Sequence, residues 1–165
     1  MNLVDRMRCR CCGKELGEFT TDIGYQLPDV VWSIPEPRRP TLARYTSDLC
    51  QHGERFFLRG LALVPIIGAD EHFGWGLWVE VSQTDFDRYV AVYDRDGTAE
   101  PPIPAKLANT PPGYQDTASV SAQVFFGPAS DRPRIILEPG PHQLAREQAT
   151  GITIERVHEL NDAVS

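Results

Sequence analysis

The sequence predicts an α+β fold: a mostly antiparallel sheet around one central hairpin, helices on one face, and a zinc-knuckle-like segment at the N-terminus. Three observations predict it. Phe73, Trp75, Leu77, Val79 and Val81 alternate with Gly74, Gly76, Trp78, Glu80 and Ser82, a period of two. Directly afterwards Phe86, Tyr89, Val90 and Tyr93 recur at helical spacing. Cys9, Cys11 and Cys12 crowd into one short segment closed by Gly13, and the fourth cysteine, Cys50, stands apart.

Taken in order, Cys9-x-x-Cys12-Gly13 lets two thiolates converge on one ion, with the glycine allowing the tight turn around the sulfurs. Glu18–Gln26, rich in β-branched and aromatic residues, reads as a strand. Pro28–Pro40 contains Pro28, Pro35, Pro37 and Pro40 and reads as an irregular surface loop pinned by Trp32. Arg55–Ser82 forms the central hairpin, two apolar strands turning at Gly68–Glu71. One face of its second strand is a core face. The other sets Trp78 beside two glycines, so a large ring can lie over bare backbone.

Ser82 is placed to cap a helix over Gln83–Tyr93, with Asp85 where a capping box has its acid. Asp94–Gly113 carries Pro101, Pro102, Pro104, Pro111 and Pro112, and reads as a long loop with a helical turn at Ala105–Ala108. Tyr114 and Asp116 fix a turn behind it, and strands follow at Ala118–Phe126 and Pro133–Glu138. Two short helices, Pro141–Ala149 and Thr153–Asn161, split at Thr150-Gly151, end the chain, with Ile154, Val157 and Leu160 on one stripe.

A length of 165 residues suits a single domain over 1–165, with a metal-knuckle and proline-rich part at 1–52 and a sheet-and-helix core at 53–165. A net charge of −7 argues against nucleic-acid binding. No apolar run reaches the roughly eighteen residues that span a membrane, and the N-terminal text has no secretory pattern, so the expectation is a cytoplasmic protein. The charge is uneven, +1 over residues 1–60 and −8 over 61–165. An acidic surface either suits a basic protein partner or serves solubility alone.

The strongest chemical constellation is thiolate-based. Cys9 and Cys12 have the spacing of half a tetrahedral zinc site, and Cys50 and His52, two apart on an extended segment, face the same side. Cys9, Cys12, Cys50 and His52 would close around a structural zinc with no position left for water. Cys11 is then a spare, or the fourth ligand if His52 turns away. Cys50, His52 and Asp48 include the residue types of a nucleophile, base and orienter, but they lie within one extended segment, where a triad rarely converges. Asp70, Glu71 and His72 occupy the hairpin turn, polar because turn tips are wet, or else a second metal or substrate contact. His142 and His158, on the last two helices, read as surface or internally satisfied histidines.

Several words of the sequence together resemble a bacterial family known as domain of unknown function 2199. They are Cys9-Arg10-Cys11-Cys12-Gly13-Lys14, Ser47-Asp48-Leu49-Cys50, Phe56-Phe57-Leu58-Arg59-Gly60, Pro65-Ile66-Ile67-Gly68, Phe73-Gly74-Trp75-Gly76-Leu77-Trp78-Val79, Pro112-Gly113-Tyr114 and Gly151-Ile152-Thr153-Ile154-Glu155-Arg156-Val157. The resemblance covers nearly the whole chain, implies a single domain and implies no known activity. Members often carry a histidine a few residues after the knuckle, about where Leu16 stands here, so either His52 substitutes or the site is incomplete.

The function these features favour is a non-enzymatic binding protein with a structural zinc, an immunity- or antitoxin-like masking of a basic protein being one form. The alternative is a small metal- or thiol-dependent enzyme using Cys50 and His52 or the turn Asp70–His72.

Overall fold

The computed structural model describes residues 7–115, 117 and 120–164, so Asp116 and the first two residues of the strand expected at Ala118–Phe126 lie outside it. The strands are β1 (Asp22–Gly24), β2 (Arg44–Tyr45), β3 (Leu49–His52), β4 (Arg55–Pro65), β5 (His72–Val81), β6 (Ile103–Leu107), β7 (Ser121–Phe125) and β8 (Arg134–Leu137). The helices are α1 (Asp29–Trp32), α2 (Arg39–Leu42), α3 (Gln83–Val92), α4 (Gln143–Thr150) and α5 (Ile154–Val164). None of the described helices is long and apolar enough to cross a membrane.

The long hairpin is there: β4 and β5 pair antiparallel from Phe56 opposite Val81 to Pro65 opposite His72. What surrounds it is a curled sheet. The strands β4, β5, β6, β7 and β8 follow one another antiparallel, and β8 returns beside β4, closing a five-stranded barrel-like ring. An up-and-down run of five ends pointing the way it began, so this last contact is parallel, with Leu61 opposite Arg134. Gly60 makes room for it. A Cβ there would stand 2.8 Å from the Ile135 side chain and 3.0 Å from the Pro133 carbonyl oxygen. A second parallel pairing joins β1 to β5, so the sheet is antiparallel only in part.

Both faces of β5 are buried, which corrects the expected arrangement of helices on one face. On one side Phe73, Trp75, Leu77 and Val79 belong to the core cluster that also holds Tyr89 of α3, Leu144 of α4, and Ile154, Val157 and Leu160 of α5. On the other side Trp78 packs with Leu27, Val31 of α1, Ala43, Cys50 and Phe57. The glycines beside Trp78 therefore serve close strand contact rather than an open aromatic surface: a Cβ on Gly76 would lie 3.1 Å from the Gly24 Cα.

Three local expectations change. The proline-rich stretch 28–40 contains α1, a 3-10 turn at Glu36–Arg38 and the start of α2. Trp32 does not pin it, being 54% exposed with the Arg39 guanidinium 4.5 Å above its ring. The strand expected at Glu18–Gln26 shortens to β1, behind a 3-10 turn at Leu16–Glu18. Within 94–113 the residues Ile103–Leu107 form β6, not a helical turn at Ala105–Ala108. Pro104 is tolerated because β5 pairs with β6 only at Lys106 and Leu107, so the missing N–H falls beyond that ladder.

Asn109, wholly buried, ties the outer cluster together. Its side chain accepts from the Trp78 amide at 2.7 Å and donates to the Leu27 carbonyl at 3.0 Å and to Asp29 at 2.9 Å. Asn109→Ala strands these groups without water. The expected cost is about 2–3 kcal/mol, a fall of roughly 5–10 °C in Tm by calorimetry.

Candidate metal centre

The N-terminal knuckle is a small antiparallel loop. Arg8 bridges Glu15, the Cys9 amide donates to the Lys14 carbonyl at 2.8 Å, and the Gly13 amide donates to the Cys9 carbonyl at 2.8 Å. Gly13 has a φ of +76°, which is why a glycine closes the turn. The turn buries Cys9, which is 2% exposed, while Cys11 and Cys12 stay exposed.

The last helix supplies the other half. Helix α5 buries Ile154, Val157 and Leu160 in the barrel core, and this sets His158 against the knuckle. Cys9 Sγ lies 3.4 Å from His158 Nδ1, and the His158 and Phe19 rings stack with centroids 5.6 Å apart. The neighbouring turns of α5 hold the same segment, because the Arg10 amide donates to Glu155 at 3.0 Å and Thr20 exchanges two bonds with Asn161, both 2.9 Å. His158 Nε2 in turn lies 3.2 Å from the Asp162 carboxylate. A proton on Nε2 shared with Asp162 leaves the Nδ1 lone pair facing the sulfurs, the arrangement by which a carboxylate orients a metal-binding imidazole.

Cys9, Cys11 and His158 place one ligand atom each within 4.8 Å of one another, the one such grouping of His, Cys, Asp and Glu among the described residues. Cys12, exposed and three residues from Cys9, lies outside that grouping. Two ligands of a tetrahedral zinc stand about 3.5 Å apart, so the Cys9–His158 distance of 3.4 Å fits a shared ion. The electrostatics favour a thiolate at the centre. Burial pushes the Cys9 thiol up, but backbone N–H groups of Cys11 and Cys12 and bonds with His158 and Cys12 outweigh it and bring the thiol down to about 7. Cys11 moves up, first because of the charge on Cys9 and the hydrogen bond with it, then through burial, Glu155 and Cys12.

The four-residue set Cys9, Cys12, Cys50 and His52 is not gathered about one point. Cys50 sits in the outer cluster with Phe57 and Trp78, whereas Cys9 belongs to the inner one. The reason is the pleat of β3, which turns Cys50 toward α1 and the loop before β2. His52 is held away by its Nδ1, 2.9 Å from the Leu42 carbonyl oxygen. At the hairpin turn Asp70, Glu71 and His72 are all exposed, and their ligand atoms do not form a grouping within reach of one another among the described residues. His142 has both ring nitrogens occupied, Nδ1 accepting from the Leu144 amide at 3.1 Å and Nε2 facing the Gln115 carbonyl at 2.7 Å. His158, which the sequence placed among surface or satisfied histidines, is the ring that the fold brings within ligand distance of Cys9 and Cys11. Its signal was a His followed four residues later by Asp on a helix.

A protein-family model described as "uncharacterized protein conserved in bacteria (DUF2199)" matches residues 8–152, most of the chain. The protein belongs to this family. In this DUF2199 chain the match begins at the knuckle and ends just before α5. No curated protein and no solved structure matches it significantly.

Cys50 does not offer the DUF2199 protein an activated nucleophile. Burial alone pushes its thiol up to about 11. Iodoacetamide at pH 8, after metal removal, is expected to modify Cys11 and Cys12 and leave Cys50 untouched in the folded chain. Peptide mass mapping reads this, and early labelling of Cys50 would return it to the list of reactive thiols.

Proposed function

We propose that this chain is a non-enzymatic binding protein in which a structural zinc, held by Cys9, Cys11, Cys12 and His158, locks the N-terminal knuckle to the last helix. The observation that carries the reading is the buried Cys9 sulfur 3.4 Å from an imidazole that is itself backed by Asp162. Thiolates with one imidazole are the donor set that structural zinc sites use. Four protein ligands leave no corner for water or substrate, so such an ion serves architecture rather than turnover. Reduced thiols of this kind suit a cytoplasmic setting.

The binding side of the reading rests on charge. The −8 carried by residues 61–165 suits a basic protein partner, in the manner of an immunity or antitoxin protein. Elemental analysis of protein purified without chelators tests the metal, one zinc per chain being expected and metal-free folded protein being the failing result. Co-purification from the native host tests the partner. A basic protein released by moderate salt supports it, and a partner that is absent or indifferent to salt counts against it.

A further inference from the structure

We infer that a small cleft at the start of β3 is a binding site for free hydrogenphosphate. It uses none of the metal-centre residues and does not depend on the zinc reading. Asp48, Tyr89, Tyr93, Ser130, Asp131 and Arg132 line a cavity of about 250 Å3, small beside the roughly 300–1,000 Å3 that drug-sized ligands fill. Three segments meet there: the turn before β3, the end of α3, and the loop between β7 and β8.

The bonds that frame the cavity leave donors to spare. Asp48 accepts from the Tyr93 hydroxyl at 2.7 Å and from Arg132 Nε at 3.1 Å. This anchors the Arg132 guanidinium while both its Nη groups stay without a partner among the described residues. The hydroxyl of Tyr89, a buried residue, is unpartnered in the same sense. Ser130 is the one described non-glycine residue in the left-handed region, with a φ of +73°. Glycine adopts that backbone without strain, so what serine adds there is its hydroxyl. The amide of Arg59 donates to the Asp48 carbonyl at 3.0 Å, yet the Arg59 side chain makes no ion pair among the described residues and its Nε is buried without a partner. Two guanidiniums thus stand about Asp48, a setting that favours an anion. Asp131, exposed and with an unpartnered carboxylate among the described residues, selects which anion. It repels a fully deprotonated oxyanion. Hydrogenphosphate keeps a proton through neutral and mildly alkaline pH and can donate it to Asp131, while its other oxygens accept from Arg132, Tyr89 and Ser130. Sulfate has no proton to give, and a phosphomonoester loses its last one at about pH 6.

The test melts the full chain at pH 8 and constant ionic strength with added inorganic phosphate, sulfate or glycerol phosphate. Saturating phosphate should raise Tm by roughly 3–6 °C, with clearly smaller shifts from the other two anions. Titration calorimetry of variants then locates the site. Arg132→Gln should weaken phosphate binding about tenfold or more. Ser130→Gly, which relieves the left-handed φ and so keeps the fold, should weaken it as well. Asp131→Asn exchanges the acceptor for a donor, and should weaken phosphate while admitting sulfate. The inference is overturned if phosphate gives no shift, if sulfate or glycerol phosphate matches it, or if phosphate affinity is unchanged in Arg132→Gln or in Ser130→Gly. Selectivity against sulfate that survives Asp131→Asn overturns it too.

Discussion

Stripping the proposed zinc from the native protein with a strong chelator is expected to lower its Tm by roughly 10 °C or more, read by differential scanning calorimetry. A structural zinc binds folded ligands and not the scattered ones of an unfolded chain, so its binding free energy adds to folding. Here it would join groups 149 residues apart in sequence, which the unfolded chain does not bring together. The variant His158→Ala should melt near the chelated natural protein, and chelator should then change it no further. Asp162→Asn, which removes a neighbour of the imidazole rather than a ligand, should shift Tm by a smaller amount and weaken zinc affinity about tenfold or more. A His158→Ala protein that melts like the natural one, with its zinc still present, would sink the assignment of that ligand.

The second large effect belongs to the barrel interior. Trp75→Ala should cost about 3–5 kcal/mol in urea unfolding, with an unchanged slope. Trp75 is wholly buried, its ring 5.0 Å from that of Phe73 and 5.8 Å from that of Tyr114, so truncation opens a cavity that neighbours on closed strands cannot fill. Trp75→Phe should cost less because much of the volume stays. Trp32→Ala provides the contrast. With its ring 54% exposed it should change stability by only about 0.5 kcal/mol or less. Equal losses at the two tryptophans would contradict the placement of the core.

The parts of this fold that could be read in advance are those written locally. The alternation of Phe73 through Val81 and the Ser82-capped run to Val92 depend on neighbours in sequence, and the Ser82 side chain does accept from the Asp85 amide at 3.1 Å. Helix α5 was visible for the same reason, through Ile154, Val157 and Leu160. What escaped depends on distant partners. Strand β6 hides among five prolines, and its alternation of Ile103, Ala105 and Leu107 gains meaning only when β5 and β7 flank it. Closure of the ring depends on Gly60 meeting Ile135, which no local pattern announces.

The metal centre divides along the same line. Cys9-x-x-Cys12-Gly13 declares its turn and its thiols within five residues. The imidazole is decided by where α5 packs, and Cys50 looked equally distant and equally suitable until the pleat of β3 turned it to the other cluster. Cysteine count alone could not separate a ligand from a small buried apolar side chain.

The separation between Cys9 and His158 also sets an order of events on the ribosome. The thiols are made first and their histidine 149 residues later, which at about 5–20 residues per second is a delay of roughly 7–30 s. Throughout that interval the nascent chain displays its three sulfurs without His158, and in the proposed zinc site the ion would be held only after translation has passed that histidine.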